Sequence, residues 1–393
     1  MMKKRIVTWV LLLMLITAEI CPVKIQGAVQ PAPEISAPGA VLMEPSTGTV
    51  LYEKNGEEQR SPASITKIMT LLLIFEALED GQITLEEEAV TSAYAKRMGG
   101  SQVFLEEGEK QTVETLIKCI VVASGNDASV VMAEHLAGSE EEFVKRMNEK
   151  AGELGMIHTQ FEDCCGLTDS EEHYTTASDV AIVSRELITR FPRILDYSSI
   201  WMENIIHRTA QGEKEFCLTN TNKLIRSYEG CVGLKTGSTS VAKYCVSAVA
   251  QRGEMTLLAV VMGAPDAKVR FKDAAALLDY GFGKCNLYLD ENRKNPDPVP
   301  IKGGVKAEVP CRYTGEFRYL DTEGKNLSQI EKKIVYMKNL QAPVKKWRYR
   351  WRSTVFAGWK GDWQNGYSGC KICKKGRPVG LYQTYQKEND KGR

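Results

Sequence analysis

The order of the apolar segments restricts the fold of this chain more than any single motif does. Strand-like segments with short turns stand near both ends of the first part of the chain, and helix-like segments lie between them. In chain order these are strands at 40–43 and 49–52, a helix at 65–78, a helix-rich stretch at 113–154, a shorter helix at 178–189, strands at 246–250 and 257–262, and a closing helix at 271–280. Because the strands flank the helices, the sequence predicts one mixed α+β domain over about residues 33–285.

A second, smaller domain is predicted after a break in composition. Residues 292–300 are polar and rich in proline, which indicates a linker. From residue 299 to residue 340, short apolar runs alternate with glycine turns. We therefore predict a small all-β domain over residues 296–346.

Composition and charge exclude several classes of protein. Of the 393 residues, 43% are hydrophobic and 26% are charged, which is the usual balance of a globular protein. The 51 lysines and arginines nearly equal the 50 aspartates and glutamates, which gives a net charge of +1. The chain therefore has no overall basic excess, and we predict no nucleic-acid partner.

The N-terminus is typical of an export signal. A basic head at residues 1–5 precedes an uncharged, mostly apolar run at residues 6–17 that is too short to span a bilayer comfortably. We predict a signal peptide over residues 1–28, with an uncleaved N-terminal anchor as the alternative. Both interpretations place the working protein outside the cytoplasm.

The cysteines and histidines do not predict a metal site. The 11 cysteines are scattered, and most lie in apolar surroundings, so we interpret them mainly as small buried hydrophobic residues. Cys370 and Cys373 have the spacing of a metal-binding pair, but no second pair accompanies them. The histidines form no metal-binding motif, and we predict neither a metal nor another cofactor.

The predicted helix at 65–78 begins with a serine and a lysine that could react together. Ser64 and Lys67 are three residues apart and therefore share a helix face. A serine needs an adjacent base to become a nucleophile, and a lysine can be that base when burial lowers its pKa. The same spacing occurs twice elsewhere in the chain, so this motif is weak by itself.

Two further motifs each occur once in the chain. Ser124-Gly125-Asn126 lies between two apolar helical segments, where a hydroxyl could relay a proton and an amide could hold a carbonyl. Lys235-Thr236-Gly237 precedes the strand at 246–250, where the lysine could attract a carboxylate and the glycine could allow close approach of a substrate. The simpler interpretations are a turn between helices and the end of a hairpin.

Taken together and in this order, the three motifs resemble those of the D-alanyl-D-alanine carboxypeptidases. These are the low-molecular-mass penicillin-binding proteins of serine peptidase family S11. Segments at 60–64, 173–177, 220–224 and 233–237 are also similar to that family. The resemblance covers about residues 33–346. It implies a β-lactamase/DD-peptidase-like α+β domain, with an antiparallel sheet flanked by helices, followed by the small all-β domain.

The resemblance also implies an activity and its catalytic residues. The expected enzyme removes the terminal D-alanine from peptidoglycan stem pentapeptides through an acyl-enzyme on Ser64. Lys67 would accept the proton of Ser64, and Ser124 would help to pass a proton to the leaving D-alanine. β-Lactam antibiotics would be covalent inhibitors.

The same resemblance implies five substrate-binding residues. Asn126 would hold a substrate amide, and Lys235 and Thr236 would hold the terminal carboxylate. Gly237 would lie against the substrate backbone. The backbone N–H of Ser238 would form an oxyanion hole with that of Ser64. No cofactor is implied.

Other properties follow from the resemblance, and alternatives stay open. The expected location is the outer side of the bacterial cytoplasmic membrane or the cell wall, with peripheral membrane contact as a further expectation. A β-lactamase, or a non-catalytic penicillin-binding or wall-sensing protein of the same fold, would carry the same motifs. Transpeptidase and endopeptidase activities are not separated by sequence.

Two departures from the family pattern lie near the motifs. Asp163 and Cys164 stand where the family usually has Asn-Pro ahead of a Gly-Leu pair, which predicts an altered loop beside the active site. Ala242-Lys243 stands where the family often has Ala-Gly.

The last part of the chain, residues 347–393, has a different composition. Four of the six tryptophans lie between Trp347 and Trp363, and the alternation typical of strands is lost. From Lys345 onward there are 13 lysines and arginines against 3 aspartates and glutamates. We interpret residues 347–393 as a frame-shifted reading of the family's C-terminus. The alternative is a genuine basic, tryptophan-rich tail that binds membrane or anionic wall polymer.

The frameshift hypothesis can be tested at the level of the gene. If residues 347–351 are encoded by tgg aga tac cgt tgg, the next frame reads GDTVG. With suitable codons it continues into alternating strands and an amphipathic helix. We expect resequencing of the coding DNA around Lys346 to reveal a missing or extra base. An unchanged reading frame, with a tail that resists proteolysis in the intact protein, would contradict the hypothesis.

Overall fold

The computed structural model describes residues 31–290 without a break, and shorter segments after them. These segments are 297–302, 308–309, 318–324, 327, 331–336, 340–341, 351–356 and 363–366. The chain divides into two compact units, residues 1–31 and 32–393, and the second contains the helices and strands of the described residues. The predicted signal peptide at 1–28 and most of the basic tail lie outside the described residues.

A five-stranded antiparallel sheet forms the centre of the fold. Its strands are β1 (Gly39–Glu44), β2 (Thr49–Lys54), β7 (Cys231–Thr239), β8 (Lys243–Arg252) and β9 (Met255–Ala264). Their order in the sheet is β2-β1-β9-β8-β7. Because β1 pairs with β9, the first hairpin lies in the same sheet as three strands from much later in the chain.

Helices cover both faces of this sheet. Within residues 31–290 the α-helices are α1 (Lys67–Glu79), α2 (Ala93–Lys96), α3 (Val113–Val121), α4 (Asn126–Ala137), α5 (Glu140–Leu154), α6 (Ala177–Arg190), α7 (Ile194–Ser198), α8 (Leu224–Ser227) and α9 (Ala267–Lys284). Helix α9 packs on one face of the sheet, and α6 and the other long helices lie on the opposite face.

The alternation of side chains along β1 separates two cores. Val41 and Met43 belong to the larger core with helix α1, whereas Ala40 and Leu42 belong to the core beneath α9. Every residue of β1 is buried because helices cover both faces of the sheet. Helix α1 is also buried over most of its circumference, which explains its nearly continuous apolar sequence.

Polar side chains fix where several helices begin. An N-terminal cap accepts a hydrogen bond from a free backbone N–H of the first turn and so satisfies a donor that has no partner inside the helix. The caps are Thr112 for α3, Ser139 for α5, Thr176 for α6 and Asp266 for α9.

The start of the first long helix differs from the sequence prediction. Ser64 does not open α1 but lies in a separate 3-10 turn, Ala63–Thr66, and α1 begins at Lys67. In a 3-10 turn residues three apart eclipse one another, so this geometry brings Ser64 and Lys67 onto the same side more closely than an α-helix would.

Smaller sheets complete the described chain. β3 (Glu88–Val90) pairs with β4 (Lys110–Thr112), and β5 (Met202–Thr209) forms a hairpin with β6 (Gly212–Thr219). After α9, short strands follow: β10 (Asn286–Leu289), β11 (Val299–Lys302), β12 (Glu308–Val309), β13 (Arg318–Asp321), β14 (Glu331–Tyr336), β15 (Leu340–Gln341), β16 (Trp351–Phe356) and β17 (Trp363–Gly366).

The α+β class predicted from sequence is confirmed. Antiparallel strands and packed helices form the core within residues 31–290. The strands after β10 agree with a β-rich second domain, whose bounds at 296–346 stay a prediction. Two strands lie in the tail that lacks strand alternation in its sequence: β14 pairs with β16, and β16 pairs with β17. Among the helices that the structure describes, none is both long enough and apolar enough to cross a bilayer.

The loop after α5 packs tightly on the 3-10 turn at Gly166. A Cβ at this position would lie 1.8 Å from the carbonyl oxygen of Ala63. We therefore expect Gly166→Ala to lower the free energy of unfolding by about 3 kcal/mol or more, measured from urea unfolding curves.

Gly138 provides the matched control, because it also has a positive φ, but a Cβ added there would meet no other atom within 4 Å. Gly138→Ala should cost about 1 kcal/mol, from backbone conformation alone. Equal losses of stability in the two variants would contradict the close packing of Gly166.

Candidate active site

The three sequence motifs meet in one cleft. The 3-10 turn with Ser64, the loop between α3 and α4 with Ser124, and the edge strand β7 with Lys235 all contribute to it. Gly237 explains how closely β7 approaches the turn, because a Cβ there would lie 2.9 Å from the backbone nitrogens of Ser64 and Ile65. Any larger residue at this position would push the strand away from Ser64.

Lys67 is fully buried and contacts three polar partners. Its Nζ lies 3.1 Å from Ser64 Oγ, 2.6 Å from Asn126 Oδ1 and 2.7 Å from the carbonyl oxygen of Cys165. Its side chain is 0% exposed, and burial lowers the pKa of Lys67 below its ordinary value. Nearby thiols and carboxylates partly oppose that effect on the pKa. Lys67 therefore loses its proton more readily than an exposed lysine.

The three contacts of Lys67 define where its lone pair points when it is neutral. A neutral amine has two N–H donors and one lone pair. The oxygens of Asn126 and Cys165 can only accept, so they take the two N–H groups. The lone pair is then left for the Ser64 hydroxyl, which can donate its proton to Nζ. This arrangement suits a general base acting on Ser64.

A second serine–lysine pair lies across the cleft. Lys235 Nζ donates to Ser124 Oγ at 2.8 Å and to the carbonyl oxygen of Thr236 at 2.8 Å. Both side chains are buried, and Ser124 adopts a positive φ of 62° in the break between α3 and α4. Burial, followed by the positive charges of Lys67 and Arg270, lowers the pKa of Lys235 well below its ordinary value.

The remaining predicted residues lie on the rim and floor of the cleft. Thr236 is buried and donates from Oγ1 to Thr221 Oγ1 at 2.7 Å. Ser238 is exposed on β7. Among the described strands β7 pairs with β8 alone, so its other edge is open to an extended peptide.

Asn126 links two parts of the site, which the sequence did not indicate. Asn126 Oδ1 accepts from Lys67 Nζ, and Asn126 Nδ2 donates to the carbonyl oxygen of Gly99 at 2.7 Å. Its backbone N–H donates to the carbonyl oxygen of Ser101 at 2.8 Å. Asn126 therefore holds the segment at 99–101 against Lys67.

Sequence reasoning missed Arg270. This buried residue of α9 donates from Nη1 to the carbonyl oxygens of Gly237 (3.1 Å) and Cys245 (3.2 Å), and thus holds β7 from behind. Its guanidinium also lies over the ring of Phe271. The available signal was an arginine directly before the predicted closing helix at 271–280, which by itself does not distinguish a buried residue from an exposed one.

Among the described residues, most cysteines lie in the core, and one group of side chains has potential metal-binding atoms close together. Six of the cysteines there are buried, as expected, whereas Cys217 is exposed. Glu140, Asp163 and Cys165 bring potential metal-binding atoms within 4.8 Å of one another. The oxygens of Glu140, however, already accept from Cys164 N and the Tyr94 hydroxyl, which makes the group part of the packing.

The sequence matches one family of enzymes. The family described as D-alanyl-D-alanine carboxypeptidase, peptidase S11, matches residues 26–266. The D-alanyl-D-alanine carboxypeptidase DacF of Bacillus subtilis (strain 168) is 43% identical over 311 residues, which cover 79% of each chain.

Solved structures agree with this match. The crystal structure of penicillin binding protein 5 from Haemophilus influenzae superposes with a TM-score of 0.72 at 28% identity. It covers 88% of this chain and 100% of that chain. A Streptomyces DD-transpeptidase superposes with a TM-score of 0.61 at 28% identity, covering 64% of this chain and 99% of its own.

Fold and site together define a serine-type peptidase in which a buried lysine accompanies the serine. The chain belongs to the D-alanyl-D-alanine carboxypeptidase family, S11, and the resemblance inferred from the motifs is confirmed. Its activity is that of a serine D-Ala-D-Ala carboxypeptidase, and the β-lactamase alternative is not favoured.

The lowered pKa values of Lys67 and Lys235 predict how the rate of acylation of Ser64 depends on pH. Acylation by a labelled penicillin should need Lys67 without its proton and Lys235 with it, which gives a bell-shaped profile. Because burial is the main cause of the lowered pKa of both lysines, both limbs should lie below the ordinary lysine value of about 10.4. The measurement is the acylation rate constant between about pH 5 and pH 11.

Lys235→Arg is the control for the alkaline limb. An arginine keeps its charge at every pH of the experiment. The alkaline fall in the acylation rate should therefore disappear. An alkaline fall that persists in this variant would contradict the role given to Lys235.

Proposed function

We propose that Ser64 attacks the carbonyl between the two terminal D-alanines of a peptidoglycan stem pentapeptide. The C–N bond of that peptide breaks, terminal D-alanine leaves, and an ester to Ser64 Oγ remains. Water then hydrolyses the ester and restores the serine. The observation that carries this proposal is the buried Lys67 Nζ, 3.1 Å from Ser64 Oγ, with its two other contacts made to obligate acceptors.

The two lysines take different roles in the proposal. Lys67 accepts the Ser64 proton during attack, in keeping with its lowered pKa. Ser124 passes a proton to the leaving amine, supported by its contact with Lys235 at 2.8 Å. An oppositely charged carboxylate would favour the charged form of Lys235, so substrate binding itself would stabilise the ammonium.

Strand β7 supplies the remaining binding groups. Lys235 and Thr236 hold the terminal carboxylate, and Asn126 contacts a substrate amide. The backbone N–H groups of Ser64 and Ser238 stabilise the negative oxygen that forms during attack. Removing one such donor typically costs about 3 kcal/mol of transition-state stabilisation. The close approach of Gly237 to the nitrogen of Ser64 supports this arrangement.

The proposed partners and location follow from this substrate. Peptidoglycan exists outside the cytoplasm, which agrees with an export signal at 1–28 and a site of action on the outer face of the membrane or in the wall. β-Lactams would acylate Ser64 as covalent inhibitors. The same proposal includes peripheral membrane contact, a catalytic domain at 33–285, a second domain at 296–346 and a frameshift after Lys346.

The fate of a penicillin separates this proposal from a β-lactamase. Rapid turnover needs a carboxylate that activates water for deacylation. Glu162 is exposed, and all four backbone N–H groups from Cys165 to Thr168 point to the oxygens of Asp163. The penicillin adduct should therefore be long-lived.

The decisive measurement is release of D-alanine from a diacyl peptide that ends in D-Ala-D-Ala. We expect release by the full-length chain and none by Ser64→Ala. A labelled penicillin should form a covalent adduct on Ser64 that the same variant lacks. An adduct that survives Ser64→Ala, or rapid penicillin turnover without release of D-alanine, would overturn the proposal. Stable acylation without release would point to a non-catalytic sensing protein.

A further inference from the structure

One carboxylate organises the loop that follows α5. Both oxygens of Asp163 accept two backbone hydrogen bonds each. Oδ1 accepts from the N–H groups of Cys165 (2.8 Å) and Gly166, and Oδ2 accepts from those of Leu167 (2.9 Å) and Thr168 (2.7 Å). Four successive N–H groups thus converge on a single side chain. Such a set of contacts fixes the orientation of each peptide plane in the loop.

The carbonyls of the same peptide planes point to helix α1. In a trans peptide the N–H and C=O groups point in opposite directions. The N–H of Gly166 shares a plane with the carbonyl of Cys165, which accepts from Lys67 Nζ at 2.7 Å. The N–H of Cys165 shares a plane with the carbonyl of Cys164, which accepts from Thr70 Oγ1 at 2.5 Å. Asp163 on one side of the loop therefore determines what the catalytic lysine meets on the other side.

The Cys165 carbonyl matters because it occupies one N–H of Lys67. Without that acceptor the neutral amine could rotate and donate to Ser64 Oγ, and its lone pair would then point away from the hydroxyl proton. Small errors of this kind are costly, since a misplacement of about 1 Å can reduce a rate by roughly 100-fold.

Several charged or titratable groups face Lys67 and Asp163. Burial has the largest effect on the pKa of Lys67 and lowers it. Four neighbouring groups raise that pKa, namely Cys165, Cys164, Asp163 and Asp127. Lys235 is the neighbouring cation.

Around Asp163 itself, burial favours the neutral acid. Nearby His173 and the backbone N–H groups nevertheless bring the pKa of Asp163 below its ordinary value, so the carboxylate is charged. Burial lowers the pKa of His173, which accepts at Nδ1 from Glu162 N.

We propose that Asp163 is a positioning residue for Lys67, because it orients the Cys165–Gly166 peptide so that the Cys165 carbonyl directs the lysine lone pair to Ser64. The proposal rests on the base role of Lys67 given above. Asp163 has two opposing effects: its geometry aligns the base, while its negative charge favours the protonated lysine. Removing the charge should therefore lower the pKa of Lys67 and at the same time lower the maximal rate of acylation.

Two variants separate geometry from charge. Asp163→Asn removes the charge and places N–H donors opposite two backbone N–H groups. Asp163→Glu keeps the charge but moves the carboxylate by one methylene. Asp169→Asn is the matched control, because it removes one negative charge from an exposed residue of the same loop region, where solvent and salt screen the charge.

Two readouts are needed on the full-length chain. Lysine labelled with 13C at Cε gives the pKa of Lys67 by NMR titration, with its signal identified by its loss in Lys67→Arg. The acylation rate with a labelled penicillin, measured across pH, gives the plateau rate. Near-UV circular dichroism verifies that each variant is folded.

We expect Asp163→Asn to lower the pKa of Lys67 and to reduce the plateau rate by about tenfold or more. Asp163→Glu should reduce the plateau without that fall in pKa, and Asp169→Asn should change neither quantity. An unchanged Lys67 pKa in Asp163→Asn, or a lowered pKa with an unchanged plateau, would overturn the proposal. The NMR titration needs no turnover, so a wild-type chain that is never acylated would instead contradict the proposed function.

Discussion

The burial of the Lys67 amine is the constraint on which the rest of the site depends. Moving an amine out of water costs of the order of several kcal/mol unless polar partners replace its hydration. Here the partners come from the 3-10 turn, from Asn126 at the start of α4, and from the Cys165 carbonyl in the loop after α5. These segments must therefore meet at this point whenever the helical core around α1 is formed.

The second lysine gives the cleft its electrostatic character. Lys235, Lys67 and Arg270 place three basic side chains around one buried region, and the positive charges of the other two contribute to the lowered pKa of Lys235. Among the described residues, Ser124 and Thr236 provide the contacts of Lys235, and both are uncharged. A carboxylate that enters the cleft would relieve this concentration of positive charge.

Local sequence patterns predicted most of the central elements. The apolar period at 65–78 corresponds to α1, and the strands predicted at 246–250 and 257–262 correspond to β8 and β9. Side-chain alternation and helix periodicity are properties of neighbouring residues, so they can be read without knowledge of the fold. Local patterns were not sufficient where long-range contacts decide: Ser64 lies in a 3-10 turn against Gly166, and β16 and β17 form in a tail without a clear strand pattern.

The sequence by itself determined the class of fold, the family and the serine and lysine motifs, because these depend on residue type and on short spacings along the chain. Tertiary structure alone decided that Asn126 and Cys165 share the amine of Lys67, that Arg270 holds the carbonyl of Gly237, and that Asp163 collects four backbone N–H groups of its loop. The physical reason is that hydrogen-bond partners are fixed by direction and distance in space. Residues such as Asn126 and Lys67, 59 positions apart, carry no local signal that they meet.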